Sequence, residues 1–316
     1  MKKVRLIIPY FGKLPKFFPY FLLTAKRNQK IDFLIYTDQN VDQLEILNAE
    51  NIEFKTLSFD DLRKKVQSKF DFEISLKTPY KLCDYKVAYG FIFEEELKGY
   101  DYWGFCDTDV LLGDIYQFLE EHSFFENDYA RYGLLGHLQI FKNSQEVNHV
   151  FMSGQGLNYR LDYHNVFTSE QNFIFDEAEG IQKLFEKSGF EQLQDKFFDD
   201  IDISHFSFRE YGEDEPKRYY FWSQQDGLKS INLIDGKIVV KHPLYTHFQK
   251  RKIECPEFEL VESFYVIPNK LVFGEELSIQ EIEEVTKNKF YWDYFKSTFL
   301  KKFKMEKWSL EFIRHK

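Results

Sequence analysis

The chain has 316 residues, of which 43% are hydrophobic, and its formal net charge at pH 7 is −10. The acidic balance argues against general nucleic-acid binding, and the hydrophobic fraction is enough for a substantial core, which argues against wholesale disorder. No apolar run reaches the roughly eighteen residues that span a bilayer. The three cysteines show no C-x-x-C pairing, so a disulfide framework is not expected.

The N-terminal part alternates between apolar β-branched runs and helical patterns. Residues 4–10 predict a first strand in a cytoplasmic protein rather than a signal peptide, because the apolar core is short and no small-residue cleavage site follows. Strand patterns cover residues 4–10, 31–38, 52–59 and 100–106, and helical patterns cover residues 15–28, 41–50, 60–70 and 79–98. This order predicts an α/β fold with a doubly wound, mostly parallel sheet.

The stretch KGYDYWGFCDTDVLLGDI, residues 98–115, places two carboxylates between two apolar runs. Asp107 and Asp109 are two positions apart, and in an extended or tightly turning segment such residues project to the same side. Two carboxylates held together repel each other, and a divalent cation removes that cost. Mg²⁺ and Mn²⁺ prefer oxygen ligands and bind carboxylates together with substrate phosphates. The pattern therefore indicates a Mg²⁺ or Mn²⁺ site after the fourth strand.

The same motif has three other interpretations. A D-x-D in a surface turn commonly has no function, but this turn lies between two runs that favour burial. An EF-hand would need Gly and Glu at its sixth and twelfth positions, where the chain has Leu112 and Phe118. A phosphatase of the haloacid-dehalogenase type, forming an aspartyl-phosphate on Asp107, usually carries the motif on its first strand, with Thr or Val in place of Leu111. That alternative stays open.

Four blocks of the sequence, taken in order, resemble one group of bacterial glycosyltransferases with the GT-A fold, found in polysaccharide biosynthesis clusters. The blocks are IPYFGKLPKFFPYFLLTAKRNQKIDFLIYTD, TPYKLCDYKVAYGFIFEEEL, GYDYWGFCDTDVLLGDI and THFQKRK, and the resemblance covers roughly residues 4–255. It implies a metal-dependent enzyme that moves a sugar from a UDP-sugar to a saccharide or lipid-linked saccharide acceptor. The product would be capsule, cell-wall or other surface polysaccharide.

The resemblance also implies roles for single residues. Donor and nucleotide binding would fall to Pro9, Tyr10, Gly12, Asp38, Lys81, Asp84, Asp107 and Lys250. The metal ligands would be Asp107, Asp109 and His247, with Asp109 bound directly and Asp107 bound more loosely or to the ribose. Lys250, with Arg251 and Lys252, would neutralise the leaving diphosphate.

Two of these assignments have alternatives in the sequence itself. His242 is the alternative third ligand, because the Gly and Pro-Trp that often follow the late His in better-known relatives are missing here. Lys81 and Asp84 lie one helical turn apart, and a simple surface ion pair is the alternative for them.

A second group of acidic residues follows the apolar start of FIFDEAEGI, residues 173–181. Asp176 and Glu177 are candidate catalytic residues that would offer a carboxylate to the acceptor hydroxyl or the reacting sugar. The alternative is that they are acids at a helix N-terminus. His137 opens a predicted strand in residues 133–143, as an acceptor-side wall or an ordinary core histidine. Asp226 has no assigned role.

Residues 1–255 are predicted to form the catalytic domain, and residues 256–316 a mostly helical, basic and aromatic extension. Residues 290–316 mix Trp, Phe and Leu with Lys, as an interfacial amphipathic helix does. Two alternatives follow: peripheral contact with the inner face of the cell membrane, or packing of this helix on the main domain. A non-catalytic, membrane-peripheral scaffold with structural aspartates is a further alternative for the whole protein.

Overall fold

The computed structural model of the chain describes residues 1–47, 49–214, 216–287, 289, 291 and 294–296. The chain divides into two compact units, Met1–Phe197 and Phe198–Lys316. The predicted domain boundary at residue 255 falls inside the second unit, so the structure divides the chain earlier than the sequence suggested.

The strands of the first unit are β1 (Val4–Tyr10), β2 (Ile31–Thr37), β3 (Ile52–Thr56), β4 (Tyr102–Cys106), β5 (Val110–Leu112), β6 (Arg131–Tyr132), β7 (Leu138–Lys142) and β8 (Gln192–Leu193). Seven of them form one sheet in the order β3-β2-β1-β4-β7-β6-β8. The pairs β2–β3, β1–β2, β1–β4 and β6–β8 are parallel, whereas β7 is antiparallel to β4 and β6. The predicted α/β class with a mostly parallel sheet is confirmed. The strand order changes direction between β1 and β4, which is where such sheets bind ligands.

The helices of the first unit are α1 (Phe18–Arg27), α2 (Phe59–Gln67), α3 (Leu82–Tyr85), α4 (Tyr89–Ile92), α5 (Ile115–Glu121), α6 (Gln145–Asn148), α7 (Tyr163–Thr168) and α8 (Lys183–Ser188). Pro19 in the first turn of α1 suits its start, because proline has no N–H to leave unsatisfied there. The Ser58 side chain caps α2 by accepting the Asp61 N–H. The helix predicted over residues 41–50 is a short 3₁₀ helix, Asp42–Leu47.

The continuous helix predicted over residues 79–98 is wrong. The structure breaks this segment into a 3₁₀ turn (Pro79–Lys81), α3, a second 3₁₀ turn (Lys86–Ala88) and α4. The predicted apolar positions are still buried: Leu82, Tyr85, Ala88, Tyr89 and Ile92. The contact with β4 is close, since a Cβ at Gly90 would lie 2.5 Å from the Trp103 ring. Packing against the sheet therefore outweighs regular helix geometry here.

The strands of the second unit are β9 (Asp199–Asp200), β10 (Lys217–Ser223), β11 (Gly227–Ile234), β12 (Lys237–Lys241), β13 (Tyr245–His247), β14 (Ser263–Ile267) and β15 (Lys270–Phe273). Five of them form an antiparallel sheet in the order β12-β11-β10-β14-β15, and β9 pairs with β13 in parallel. Helix α9 (Ile279–Val285) begins at a capping box formed by Ser278 and Glu281.

The expectation that residues 256–316 are mostly helical is wrong for their described part, because β14 and β15 lie there alongside α9. Nearly all of the predicted amphipathic segment, residues 290–316, lies outside the described residues. In the part of the chain that the structure describes, no helix has both the length and the apolar character needed to cross a membrane.

Candidate functional site

The Asp107-Thr108-Asp109 turn joins β4 and β5, two strands whose residues are all buried. The Asp107 N–H donates to the His137 carbonyl at 2.8 Å, which continues the β4–β7 pairing beyond the end of β4. Both carboxylate residues are partly exposed. The motif therefore lies where the sequence predicted it, on rigid strands at the carboxyl end of β4 and beside the switch point of the sheet.

The predicted nucleotide-binding residues at the ends of β1 and β2 lie at the same carboxyl edge of the sheet. The Gly12 N–H donates to Asp38 Oδ1 at 2.9 Å, and Gly12 has a left-handed φ of 95°. Although burial acts in the opposite direction, hydrogen bonds from Gln39 and Gly12 hold the pKa of Asp38 below its ordinary value. Burial and the negative charge of Asp109 raise the pKa of Tyr10, whose neighbour Pro9 also lies in β1.

Lys86 lies at the centre of the charged cluster, and sequence reasoning missed it. Its Nζ donates to Asp107 Oδ1 at 2.7 Å and to the Gly136 carbonyl at 2.9 Å, and lies 3.1 Å from Asp176 Oδ2. Burial acts to lower the pKa of Lys86, but the two carboxylates outweigh it and raise this pKa well above its ordinary value. A signal did exist, because Lys86 is spaced i+4 from Leu82 and i−3 from Tyr89 on the apolar side of the helical pattern.

Asp176 is buried against Lys86, so the structure joins a predicted catalytic residue to a predicted metal ligand through one lysine. Burial raises the pKa of Asp176 to about 7; Lys86 opposes this shift, and the charges of Asp107 and Glu177 add to it. Gly136 provides the space, since a Cβ there would lie only 2.4 Å from Asp176 Oδ2. Glu177, the next residue, is less buried than Asp176.

Lys81 and Asp84, two of the predicted donor-binding residues, are buried in the first unit. Their side chains are 3% and 0% exposed and form an ion pair of 2.7 Å. Lys81 also donates to the carbonyls of Val166 and Gln171, and Asp84 accepts the Phe173 and Phe175 N–H groups. The pair has the i,i+3 spacing of the alternative interpretation, but it is buried and ties a distant segment of the chain.

The remaining predicted residues lie in the second unit. His247 ends β13 and is buried, and its Nδ1 lies 2.9 Å from Asp200 Oδ1. A carboxylate on Nδ1 selects the tautomer whose Nε2 can bind a metal, as in many metal-ligating histidines. The alternative ligand, His242, is exposed directly after β12.

The basic residues after His247 do not share one role. Arg251 is buried, and its guanidinium donates to the carbonyls of Asp202, His205 and Phe206. Arg251 therefore holds loops of its own unit together from a buried position. Lys250, next to Arg251, is exposed. Asp226 forms an ion pair with Lys229 at 2.8 Å.

The donor set of the turn fits a hard divalent cation. Asp107 and Asp109 supply carboxylate oxygens, the ligand type that Mg²⁺ and Mn²⁺ prefer. Lys86 already engages Asp107 Oδ1, which agrees with the assignment of Asp109 as the closer ligand. Besides Lys86, sequence reasoning missed Gly136 and Asp200, neither of which is part of a recognisable motif.

Three solved structures to which the chain is weakly similar are described as glycosyltransferases. Mouse xyloside xylosyltransferase 1, apo form, is 11% identical at a TM-score of 0.44, over 79% of this chain and 98% of that chain. The glycosyltransferase GlyE of Streptococcus pneumoniae TIGR4 is 10% identical at 0.34, over 62% and 46% of the two chains. The mannosyltransferase Ktr4p of S. cerevisiae is 10% identical at 0.31, over 58% and 64%. Likenesses this weak carry no argument about activity.

No curated protein matches the chain. A family model, described as "Family of unknown function (DUF6625)", matches residues 6–275. This match spans the β1–β4 switch point, the Asp-Thr-Asp turn, Lys86, Asp176 and His247. The chain therefore belongs to the family of unknown function DUF6625.

Proposed function

We propose that the protein is a metal-dependent GT-A glycosyltransferase, which moves a sugar from a UDP-sugar to a saccharide acceptor in bacterial surface-polysaccharide synthesis. The observation that carries this proposal is the position of Asp107-Thr108-Asp109 at the carboxyl end of β4, beside β1 at the switch point. Open α/β sheets bind nucleotides at that point. The four sequence blocks that resemble bacterial glycosyltransferases support the choice of chemistry.

The proposed division of labour follows from burial and charge. A bound Mn²⁺ or Mg²⁺ would stabilise the charge that develops on the leaving diphosphate. Asp109 and, less directly, Asp107 hold the cation, while Gly12, Tyr10 and Asp38 face the nucleoside. Lys86 fixes Asp107 and is itself held by Asp176. Glu177, which is more exposed than Asp176, offers its carboxylate to the acceptor hydroxyl.

Calorimetric titration of UDP with and without Mn²⁺ tests the proposal. The wild-type protein should bind UDP in a Mn²⁺-dependent manner. Asp109→Asn should keep the fold but lose both this Mn²⁺ dependence and sugar transfer, because it removes the charge that holds a hard cation. Asp101→Asn is the matched control, since Asp101 pairs with Lys2 just before β4. Wild-type activity in Asp109→Asn would end the proposal, and phosphate-ester hydrolysis without nucleotide preference would favour the phosphatase alternative.

His247 stays the proposed third ligand. His247→Ala should weaken Mn²⁺ binding by about 1–2 kcal/mol, roughly 5- to 30-fold. Asp200→Asn removes the negative charge beside the His247 ring and Gln249 Nε2 and should weaken binding in the same direction. Manganese titrations of the two variants measure both effects. If His247→Ala binds Mn²⁺ as the wild type does, the third ligand is His242 or water.

A further inference from the structure

Ile174 has an unusual backbone conformation directly before the charged cluster. Its φ is 56°, in the left-handed region, although Ile is β-branched. Its side chain is 53% exposed, so burial of this side chain does not offset the strain. Strain of this kind persists only where the surrounding structure imposes it, and it concentrates at functional sites.

Asp84 imposes the conformation from inside the first unit. Its carboxylate accepts the N–H of Phe173 at 3.0 and 3.1 Å and the N–H of Phe175 at 3.0 Å. These two residues flank Ile174, so the chain must turn around the carboxylate. Lys81 compensates the buried charge at 2.7 Å and also donates to the carbonyls of Val166 and Gln171, which draws the same segment inward.

The residue after this turn is Asp176. Phe175 is fully buried, the Asp176 carbonyl accepts from Gln139 Nε2, and the Asp176 carboxylate meets Lys86 at 3.1 Å. If φ at residue 174 changed sign, the chain would leave Asp84 in another direction, and Asp176 would lose its place beside Lys86.

We infer that Lys81 and Asp84 are positioning residues: they hold Ile174 in the left-handed conformation and thereby fix Asp176 against Lys86. The kinetic consequence rests on the proposed glycosyltransferase function. The claim that the pair holds the backbone at Ile174 does not rest on that function, because amide exchange at Phe173 and Phe175 measures it directly.

The Lys81–Asp84 pair is called the clamp from here on. The first test removes this clamp without leaving an unpaired buried charge. In Lys81→Met/Asp84→Leu both charges disappear together, which is far better tolerated than the loss of one, and leucine has no oxygen to accept the Phe173 and Phe175 N–H groups. Hydrogen exchange in a peptide spanning residues 169–180 should accelerate about tenfold or more. The turnover number should fall about 10- to 100-fold, with Mn²⁺-dependent UDP binding within about threefold of wild type.

Glycine at residue 174 provides a rescue, because it adopts the left-handed conformation without a Cβ penalty. Ile174→Gly alone should remain within about threefold of wild-type turnover, and adding it to the double variant should recover about fivefold or more. The matched control is Asp235→Gly, also at a residue with positive φ (49°) but in the second unit. It should rescue nothing.

Ile174→Pro keeps the Lys81 and Asp84 side chains but prevents a positive φ, so it also tests the inference should the double variant fail to fold. It should lose turnover to a similar extent. Unchanged exchange in the double variant would overturn the inference, and so would full turnover in Ile174→Pro or equal rescue by Asp235→Gly. Absence of transfer in the wild-type protein would instead refute the proposed function, and the exchange measurement would still decide the role of the clamp.

Discussion

Two lysines in the segment from Pro79 to Ile92, Lys81 buried and Lys86 partly buried, pair with carboxylates in different ways. Lys81 and Asp84 compensate each other, and both bind further backbone groups deep in the first unit. Lys86 faces two carboxylates, and that of Asp107 is 32% exposed at the sheet edge. The first cluster is complete in itself, whereas the second carries more negative than positive charge. A local excess of negative charge at a sheet edge suits a cation, and a balanced buried pair suits a structural role.

The largest expected effect comes from removing the lysine of the second cluster. Lys86→Met leaves Asp107 and Asp176 without their shared partner, so sugar transfer should fall about 10³-fold. The free energy of unfolding should fall by about 1–3 kcal/mol, because the buried Asp176 carboxyl group loses its charged partner. Transfer assays and urea unfolding measure the two effects.

Lys142→Met is the control for that experiment. Lys142 pairs with Asp128, but the two side chains are 36% and 66% exposed, so its loss should cost less than about 1 kcal/mol and leave transfer unchanged. If Lys86→Met behaved like Lys142→Met, the contrast between Lys81 and Lys86 would have no functional meaning.

The next effect concerns Asp176 and depends on pH. The pKa of Asp176 is raised from 3.8 to about 7, so between these values the folded protein keeps a proton that the unfolded chain has lost. The stability that this proton contributes is fully present below pH 3.8 and disappears as the pH rises to about 7. Asp176→Asn lacks this dependence, so its unfolding free energy relative to wild type should increase from pH 4 to pH 7.

At pH 8, where Asp176 is ionised, the same variant should lose about 10²-fold in transfer, because Lys86 loses one of its two anionic partners. Urea unfolding at several pH values, together with transfer assays at pH 8, tests both parts. A difference in stability that stays constant from pH 4 to pH 7 would show that Asp176 titrates normally.

The sequence was sufficient to predict the structural features that depend on local residue patterns. The strand ends at Tyr10 and Cys106, and the end of β2 to within one residue, followed from β-branched and aromatic runs. Parallel strands bring their carboxyl ends to one edge. The sheet thus joins Gly12 to Asp38, and the Asp-Thr-Asp turn needed no long-range information.

Features that depend on tertiary packing could not be predicted. The Lys81–Asp84 spacing is the same on an exposed and on a buried helix, and only the segment carrying Phe173 and Phe175 shows that it is buried. Lys86 interrupts an apolar stripe, but its partners come from distant parts of the sequence. No propensity rule predicts a left-handed Ile174, because Asp84 imposes that conformation from a distance.

The smallest expected effect isolates the position of Asp176 from its charge. A Cβ at Gly136 would lie 2.4 Å from Asp176 Oδ2 and 2.8 Å from its Cγ, so Gly136→Ala must push the carboxylate away from Lys86. Lys86 keeps its contact with Asp107, so transfer should fall only about 10-fold, with Mn²⁺-dependent UDP binding within about threefold of wild type.

Gly99→Ala is the control variant. A Cβ at Gly99 would meet open space, but the φ of 84° at this residue makes alanine strained. It should cost about 1 kcal/mol of stability and leave transfer per folded molecule unchanged. Full turnover in Gly136→Ala would mean that the reaction does not need Asp176 beside Lys86, and the second cluster would then be as structural as the first.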